Sequence, residues 1–199
     1  ADSPLDFYNK YVKQFFDVKK HIAIINDPRN EYYKLYTVQR LGNIVGGERP
    51  FVSYLNLPIN VLKEYTLKHL KDNNPIWYGC DVGKFFYGKN GTMDLDNFDY
   101  KPIFDINFTM TKAQRLQYRE SLMAHSMVFT AVDLDTNDEP IKWRSENSWG
   151  DKKGKDGYCF MTDKWFDAYN FQVVLPINIL SKKIQDILQT NPVKLPPWD

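Results

Sequence analysis

The sequence has 199 residues and a mass of 23.5 kDa, with 43% apolar residues, 26% charged residues and a mean hydropathy of −0.53. A chain of this length can bury one substantial core, and its composition argues against a disordered or membrane-spanning protein. The 26 basic and 25 acidic side chains leave a net charge of +1, which excludes recruitment of a polyanion or an anionic membrane by net charge alone.

Residues 1–74 are predicted to be a mainly helical lead-in. Ser3 and Pro4 form a helix start signal, and apolar residues follow them at helical spacing. A β-branched run then predicts one strand, and a polar stretch that includes Val45-Gly46-Gly47 predicts mostly loop. The predicted elements are a helix over about 4–16, a strand over 22–25 and a helix over about 60–71.

Residues 75–175 are predicted to form an antiparallel sheet, and residues 176–199 a C-terminal helix and an extended tail. Short β-branched and aromatic runs alternate with turn signals, as is typical of antiparallel strands. Residues 83–105, rich in Gly, Asn and Asp, predict a long loop. We therefore expect one α+β domain. The predicted strands are 76–82, 127–134, 141–146, 157–161 and 171–175, and the predicted helices are 111–122, 162–169 and 178–188.

The two cysteines, Cys80 and Cys159, lie 159 − 80 = 79 positions apart without CxxC spacing. This pattern predicts neither a disulfide framework nor a zinc ribbon, and it favours a reducing compartment. Both cysteines are predicted to be small buried hydrophobic residues. A zinc site built from Cys80, His125 and Cys159 lacks ligand pairs at short spacing, so we expect no metal and no cofactor.

Three histidines, His21, His69 and His125, are the side chains best suited to acid–base chemistry near neutral pH. We expect His21 and His69 to be solvated or helix-terminal. His125 lies where a predicted helix gives way to a predicted strand, which would fix its imidazole on a rigid element facing a cleft. The alternative for His125, a hydrogen-bonded core histidine, stays open.

Asn147 follows His125 by 147 − 125 = 22 positions, in the sequence Asn147-Ser148-Trp149-Gly150. Two adjacent antiparallel strands joined by a turn would return the chain beside its starting point and bring the Asn147 amide oxygen near the His125 ring. An amide in that position can hold an imidazole in one tautomer and orientation. The alternative is that these four residues are only a turn.

Four longer segments carry a resemblance to a known family. They are WYGCDVGK (77–84), ESLMAHSMVFTAV (120–132), KWRSENSWGDKKGKDGY (142–158) and MTDKWFDAY (161–169). The sequence resembles the bleomycin hydrolase and aminopeptidase C family of papain-like cysteine peptidases, over nearly its whole length. The likeness extends to 26–29, 34–38, Gly46-Gly47 and 195–199. The resemblance implies a papain-like α+β fold whose C-terminal part contains an antiparallel sheet or barrel with flanking helices.

By this resemblance, His125 is the catalytic general acid–base, Asn147 orients it, and Trp149 shields their hydrogen bond from water. The family's nucleophilic cysteine and oxyanion-hole glutamine lie in an N-terminal segment that has no match here. Neither Cys80 nor Cys159 begins a predicted helix, so we expect no nucleophile in this chain and no turnover by the chain alone. The family also continues a few residues further, into a C-terminal arm.

The resemblance implies a cytoplasmic enzyme that acts on peptide substrates, forms a homohexamer and needs the N-terminal segment of the same protein. A different class of function remains open, namely a catalytically silent module that binds a peptide or single-stranded nucleic acid. Its features would be aromatic grooves and two lysine clusters, Lys152-Lys153-Gly154-Lys155 and Lys182-Lys183, although lysine runs in turns are usually only solvated. Neither alternative involves a membrane.

Overall fold

The computed structural model describes residues 1–40 and 52–199, so the part of the predicted loop that contains Val45-Gly46-Gly47 lies outside the described residues. The described residues form strands β1 (His21–Ile25), β2 (Lys34–Val38), β3 (Tyr54–Asn56), β4 (Ile76–Cys80), β5 (Phe86–Tyr87), β6 (Thr92–Met93), β7 (His125–Leu134), β8 (Pro140–Glu146), β9 (Tyr158–Thr162), β10 (Asn170–Pro176) and β11 (Val193–Leu195). The α-helices are α1 (Pro4–Phe7), α2 (Ile59–Lys71), α3 (Lys101–Phe104), α4 (Lys112–Gln117), α5 (Asp163–Tyr169) and α6 (Lys182–Ile187).

All the described strands belong to one sheet, in the order β11-β2-β3-β1-β10-β4-β7-β8-β9-β6-β5. The central neighbours β1, β10, β4, β7, β8 and β9 pair antiparallel throughout. The pairs β1–β3, β2–β11 and β6–β9 are parallel. An α+β fold with a mainly antiparallel sheet is therefore confirmed, and parallel pairing is confined to its outer parts.

The N-terminal segment contributes more strand than its sequence predicts. β2 and β3 were expected to be loop, and both are short strands that exist by pairing with distant segments, β2 with β3 and with β11 in the predicted tail. Helix α1 ends at Phe7, and a π-helical turn over Tyr8–Val12 follows it. The prediction of helix to residue 16 was therefore wrong. None of its residues is buried, so no packing extends it.

The centre of the sheet is an aromatic core. The Phe129 ring on β7 lies 3.7 Å from the Tyr78 ring on β4 and 5.5 Å from the Trp143 ring on β8, measured between centroids. Phe166 of α5 stacks on Trp143 at 4.7 Å. All four side chains are fully buried, and so is Ser145, whose Oγ accepts a 2.6 Å hydrogen bond from the Tyr78 hydroxyl. This core fixes the middle of β7 against the middle of β8.

Helix α4 starts at a capping box between Thr111 and Gln114 and ends at Gln117, five residues earlier than predicted. Arg119 then has a φ of +57°, which ends the helix. The predicted helix 178–188 is also interrupted, because a 3₁₀ turn over Ile177–Ile179 precedes α6. None of the helices formed by residues 1–40 and 52–199 is both long and apolar enough to cross a membrane.

Two cations hold α4 against the end of α5. Lys112 Nζ donates to the carbonyl oxygens of Asp167 at 3.1 Å and Asn170 at 2.5 Å, and Arg115 Nη2 donates to that of Ala168 at 2.9 Å. These carbonyls lie at the C-terminal end of α5, where cations are favoured. Burial lowers the pKa of Lys112 to about 7. The contacts hold the start of the segment that leads into β7.

Candidate functional site

His125 is the first residue of β7, and its ring is half-buried. It lies directly opposite Cys80 in the β4–β7 register, and the preceding Ala124 N–H donates to the Cys80 carbonyl at 3.0 Å. The Asp81 carboxylate accepts hydrogen bonds from the Ser121 hydroxyl at 2.7 Å and from the Leu122 N–H at 3.3 Å. Hydrogen bonds from the end of β4 therefore fix the start of β7 and the residues that lead into it.

Asn147 directly follows the last residue of β8. Its backbone N–H donates to the Gly157 carbonyl at 3.1 Å, which closes the turn between β8 and β9. This turn uses glycine at three points, because Gly150, Gly154 and Gly157 have φ values of +82°, +66° and +83°. The turn presents the Asn147 side chain to the start of β7.

The structure brings His125 and Asn147 together. His125 Nε2 lies 2.9 Å from Asn147 Oδ1, which also accepts the Ser148 N–H at 2.8 Å. Because a carbonyl oxygen cannot donate, Nε2 must carry the proton of this hydrogen bond. Nδ1 makes no hydrogen bond within residues 1–40 and 52–199 and is left for another partner. The predicted proximity of the two side chains is confirmed, and the ring is held in one tautomer.

Trp149 covers this pair on one side. Its ring stacks on the His125 ring, with centroids 4.7 Å apart and planes inclined by 28°. The Phe86 ring of β5 lies 6.0 Å from the Trp149 ring, measured between centroids, and 42% of Trp149 remains exposed. The indole thus covers one face of the His125 ring.

The two cysteines have the environment of core residues, as predicted. Cys80 is 0% and Cys159 1% exposed, and neither forms a disulfide. Burial raises the pKa of both thiols, and the neighbouring Asp81 raises that of Cys80 further. Both thiols are therefore protonated near neutral pH, the opposite of what a nucleophilic cysteine requires.

The remaining candidates lie elsewhere. His21 begins β1, where its Nδ1 is 2.8 Å from the Asp17 carbonyl, and His69 lies in the last turn of α2, where burial lowers its pKa. The lysines at 152, 153, 155, 182 and 183 are exposed. In the part of the chain that the structure describes, no group of three or more His, Cys, Asp or Glu side chains could hold a metal ion.

Three supporting residues were missed by sequence reasoning. Asp81 and Ser121 hold the approach to His125, and Cys159 Sγ lies 3.8 Å from Asn147 Nδ2. Asp81 is the last residue but one of a predicted strand and Ser121 precedes His125 by four positions, but their contact spans 40 positions of the chain. For Cys159 the available signal was its place in a predicted strand, because the turn after β8 brings that strand, β9, back beside β8.

Comparison with known proteins gives concordant results. A model of the Peptidase C1-like family matches residues 1–199. Bleomycin hydrolase from Mus musculus is 43% identical over 202 residues, covering 99% of this chain and 44% of that protein. Aminopeptidase C from Streptococcus thermophilus is 41% identical over 199 residues, with coverages of 99% and 44%. The crystal structure of PepW from Lactobacillus rhamnosis HN001 (DR20) superposes with a TM-score of 0.92 at 42% identity, covering 99% of this chain and 44% of that one. The chain thus spans less than half the length of these relatives.

Proposed function

Because the chain belongs to the Peptidase C1-like family, we propose that it is the part of a cysteine aminopeptidase that supplies the general acid–base and its orienting amide. The predicted papain-like fold class is confirmed by the family match and by the TM-score of 0.92. The observation that carries the proposal is the 2.9 Å contact between His125 Nε2 and Asn147 Oδ1. It leaves Nδ1 of His125 for a nucleophilic thiol, as a Cys-His-Asn site requires.

In the proposed reaction, Nδ1 of His125 accepts the proton of a cysteine thiol. The resulting thiolate is stabilised by the imidazolium and attacks the carbonyl carbon of the scissile bond. The C–N bond then breaks as the imidazolium returns its proton to the leaving amine, which leaves an acyl-enzyme. His125 next takes a proton from water as the water oxygen forms a bond to the acyl carbon. The C–S bond then breaks, the carboxylic acid leaves, and the thiolate takes the proton back from His125. The Asn147 amide keeps the ring aligned while its charge changes.

The nucleophile of this mechanism is proposed to come from a segment outside these 199 residues. The environments of Cys80 and Cys159 support this, because both thiols are buried and burial raises the pKa of each. The relatives contain more than twice the matched length, which is enough chain to supply such a segment. We therefore propose that the 199 residues form the C-terminal portion of the site and show no turnover by themselves.

The substrate, assembly and location proposed here follow from the relatives. Substrates would be peptides with a free α-amino group, by analogy with the aminopeptidase C that the chain resembles. A homohexamer and a cytoplasmic location are the family's pattern, and the two free thiols agree with a reducing compartment.

The test compares this chain with the longest natural form of the protein that contains it, called the full form below. Both are given an aminoacyl amide with a free α-amino group, its N-acetylated counterpart and a thiol-reactive probe. We expect the full form alone to cleave the free substrate, to spare the acetylated one and to bind the probe, and we expect His125→Ala to abolish cleavage.

His69→Ala is the matched control, because His69 lies on α2, away from the proposed site. Hydrolysis by the 199-residue chain that is lost in Cys80→Ser or Cys159→Ser would overturn the reading of the cysteines. A full form that binds the peptide without cleaving it would instead establish a catalytically silent binding module.

A further inference from the structure

Cys159 lies at the Nδ2 end of the Asn147 amide, whose Oδ1 end faces His125. It pairs with Ser145 across β8 and β9, two positions before Asn147, and its Sγ is 3.8 Å from Asn147 Nδ2. We propose that Cys159 is a positioning residue for the acid–base pair, because its sulfur accepts a hydrogen bond from Nδ2 and so holds the amide plane with Oδ1 facing His125. This inference rests on the proposed function.

The hydrogen bonds around the amide show why a second fixed point is useful. Oδ1 accepts from the Ser148 N–H at 2.8 Å and lies 2.9 Å from His125 Nε2. A flipped amide would place the Nδ2 donor against both of these donors, so Ser148 selects which end faces the ring. The Ser148 contact locates only the Oδ1 end of the amide, so it does not by itself fix the tilt of the amide plane. Cys159, at the opposite end, restricts that rotation.

A neutral sulfur is suited to this position. Burial raises the pKa of Cys159, so the thiol keeps its proton and its lone pairs can accept the weak hydrogen bond from Nδ2. Cys159 adds no charge beside an imidazole whose own charge must change during the reaction. A carboxylate in the same place would compete with the proposed thiolate for the imidazolium.

Two glycines enclose the sulfur. A Cβ built on Gly91 would lie 3.4 Å from Cys159 Sγ, and one built on Gly154 would lie 3.5 Å from it. Both glycines have positive φ, +73° and +66°, and a Cβ on Gly154 would also meet the Tyr158 carbonyl oxygen at 2.1 Å. The β5–β6 hairpin and the turn before β9 therefore close over Cys159, and the sulfur cannot easily shift away from Asn147.

The first measurement is the tautomer of His125, read by ¹⁵N NMR of the histidine-labelled 199-residue chain and assigned with His125→Gln. We expect the Nε2–H form in the wild type and a mixture of tautomers in Asn147→Ala. Cys159→Ala should also give a mixture, whereas Cys159→Ser keeps an acceptor and should retain the Nε2–H form. Cys80→Ala is the matched control, because it makes the same change at a buried cysteine that lies opposite His125 but forms no hydrogen bond with Asn147.

The second measurement is the steady-state rate of the full form. Loss of one weak hydrogen bond should lower kcat of Cys159→Ala by roughly 2- to 5-fold with KM unchanged, and Cys159→Ser should restore most of it. If the wild type lacks the Nε2–H form, or Asn147→Ala does not change it, the proposed function fails. If those two results hold while Cys159→Ala matches the wild type, or Cys159→Ser is as impaired as Cys159→Ala, only the role of Cys159 is wrong.

Discussion

Two side-chain hydrogen bonds tie β8 to its surroundings two residues apart, in very different settings. Ser145 accepts from the Tyr78 hydroxyl at 2.6 Å in the middle of the sheet, where both residues are 0% exposed. Asn147 contacts His125 at 2.9 Å just after the end of the strand, where the histidine is half-buried and the Trp149 ring stacks on it. One hydrogen bond thus lies on β8 inside the core, and the other lies directly after β8 at the edge of the core.

The difference separates stability from chemistry. Burial raises the pKa of Tyr78 well above its ordinary value, so its hydroxyl keeps its proton and can only hold the sheet together. The edge pair has a ring nitrogen, Nδ1 of His125, with no hydrogen-bond partner among residues 1–40 and 52–199, so in the proposed function it can accept and return a proton. Substitutions at the edge should therefore change activity with little effect on folding, and substitutions in the centre should do the reverse.

The largest effect is expected for His125→Ala in the full form. In the proposed mechanism it removes both the base that activates the thiol and the acid that protonates the leaving amine, so kcat should fall by about 10³-fold or more. The melting temperature should change little, because His125 is outside the aromatic core. Measuring kcat and KM separately beside a thermal melt gives the result, and full activity would remove His125 from the proposed site.

The next largest effect is expected for Phe129→Ala, which tests the centre. Phe129 is 0% exposed and contacts the rings of Tyr78, Trp143 and Phe166, so its truncation leaves a cavity. The free energy of unfolding should fall by about 3–5 kcal/mol, measured by urea denaturation of the 199-residue chain. Phe129→Leu is the control and should lose less. A loss below about 1 kcal/mol would mean that the centre is not tightly packed.

The sequence predicts this central region well, because its signals are local. β7, β8, β9 and β10 agree with the predicted strands to within one or two residues, since β-branched and aromatic runs are bounded by clear turns. The outer strands β2 and β3 were missed because three to five residues with no strong alternation form strands only through partners far along the chain. α4 ends early because Arg119 adopts a positive φ and Ser121 is held by Asp81, directly after β4, which no local pattern reveals.

The site shows the same limit at the level of side chains. Sequence order and spacing placed His125 beside Asn147 because two strands and a turn determine that distance. The register that puts Cys80 opposite His125, and the contact of Cys159 with Asn147, depend on which strands become neighbours. Periodicity predicts the existence of strands, but their neighbours are decided by packing of the whole sheet.

A smaller effect than that of His125→Ala is expected for Asn147→Ala in the full form. The substitution removes the acceptor of the Nε2 proton and leaves the thiolate–imidazolium pair possible, so only orientation is lost. A hydrogen bond to a charged group contributes about 1.5–3 kcal/mol, which corresponds to a roughly 10- to 100-fold lower kcat. KM should be unchanged, because Asn147 is not proposed to bind the peptide. A loss equal to that of His125→Ala would show that Asn147 does more than orient the ring.

The smallest effect is expected for Tyr78→Phe, which keeps the ring stack and removes only the central hydrogen bond. Ser145 Oγ then loses its donor in a fully buried position, so the free energy of unfolding should fall by about 1–3 kcal/mol near pH 7. Activity of the full form should persist, because the edge pair is untouched.

The pH dependence gives this last prediction a sharper readout. The pKa of Tyr78 is raised in the folded state, so above about pH 10 the unfolded chain has lost the proton that the folded chain retains. The wild type should therefore lose stability as the pH rises above 10, and Tyr78→Phe should lose less over the same range. Urea denaturation of the wild type, Tyr78→Phe and Ser145→Ala between pH 7 and about 11 measures the difference in the free energy of unfolding. Parallel curves for wild type and Tyr78→Phe would show that the Tyr78 hydroxyl is free to ionise, and the contrast between a core bond that only stabilises and an edge bond that moves protons would fail.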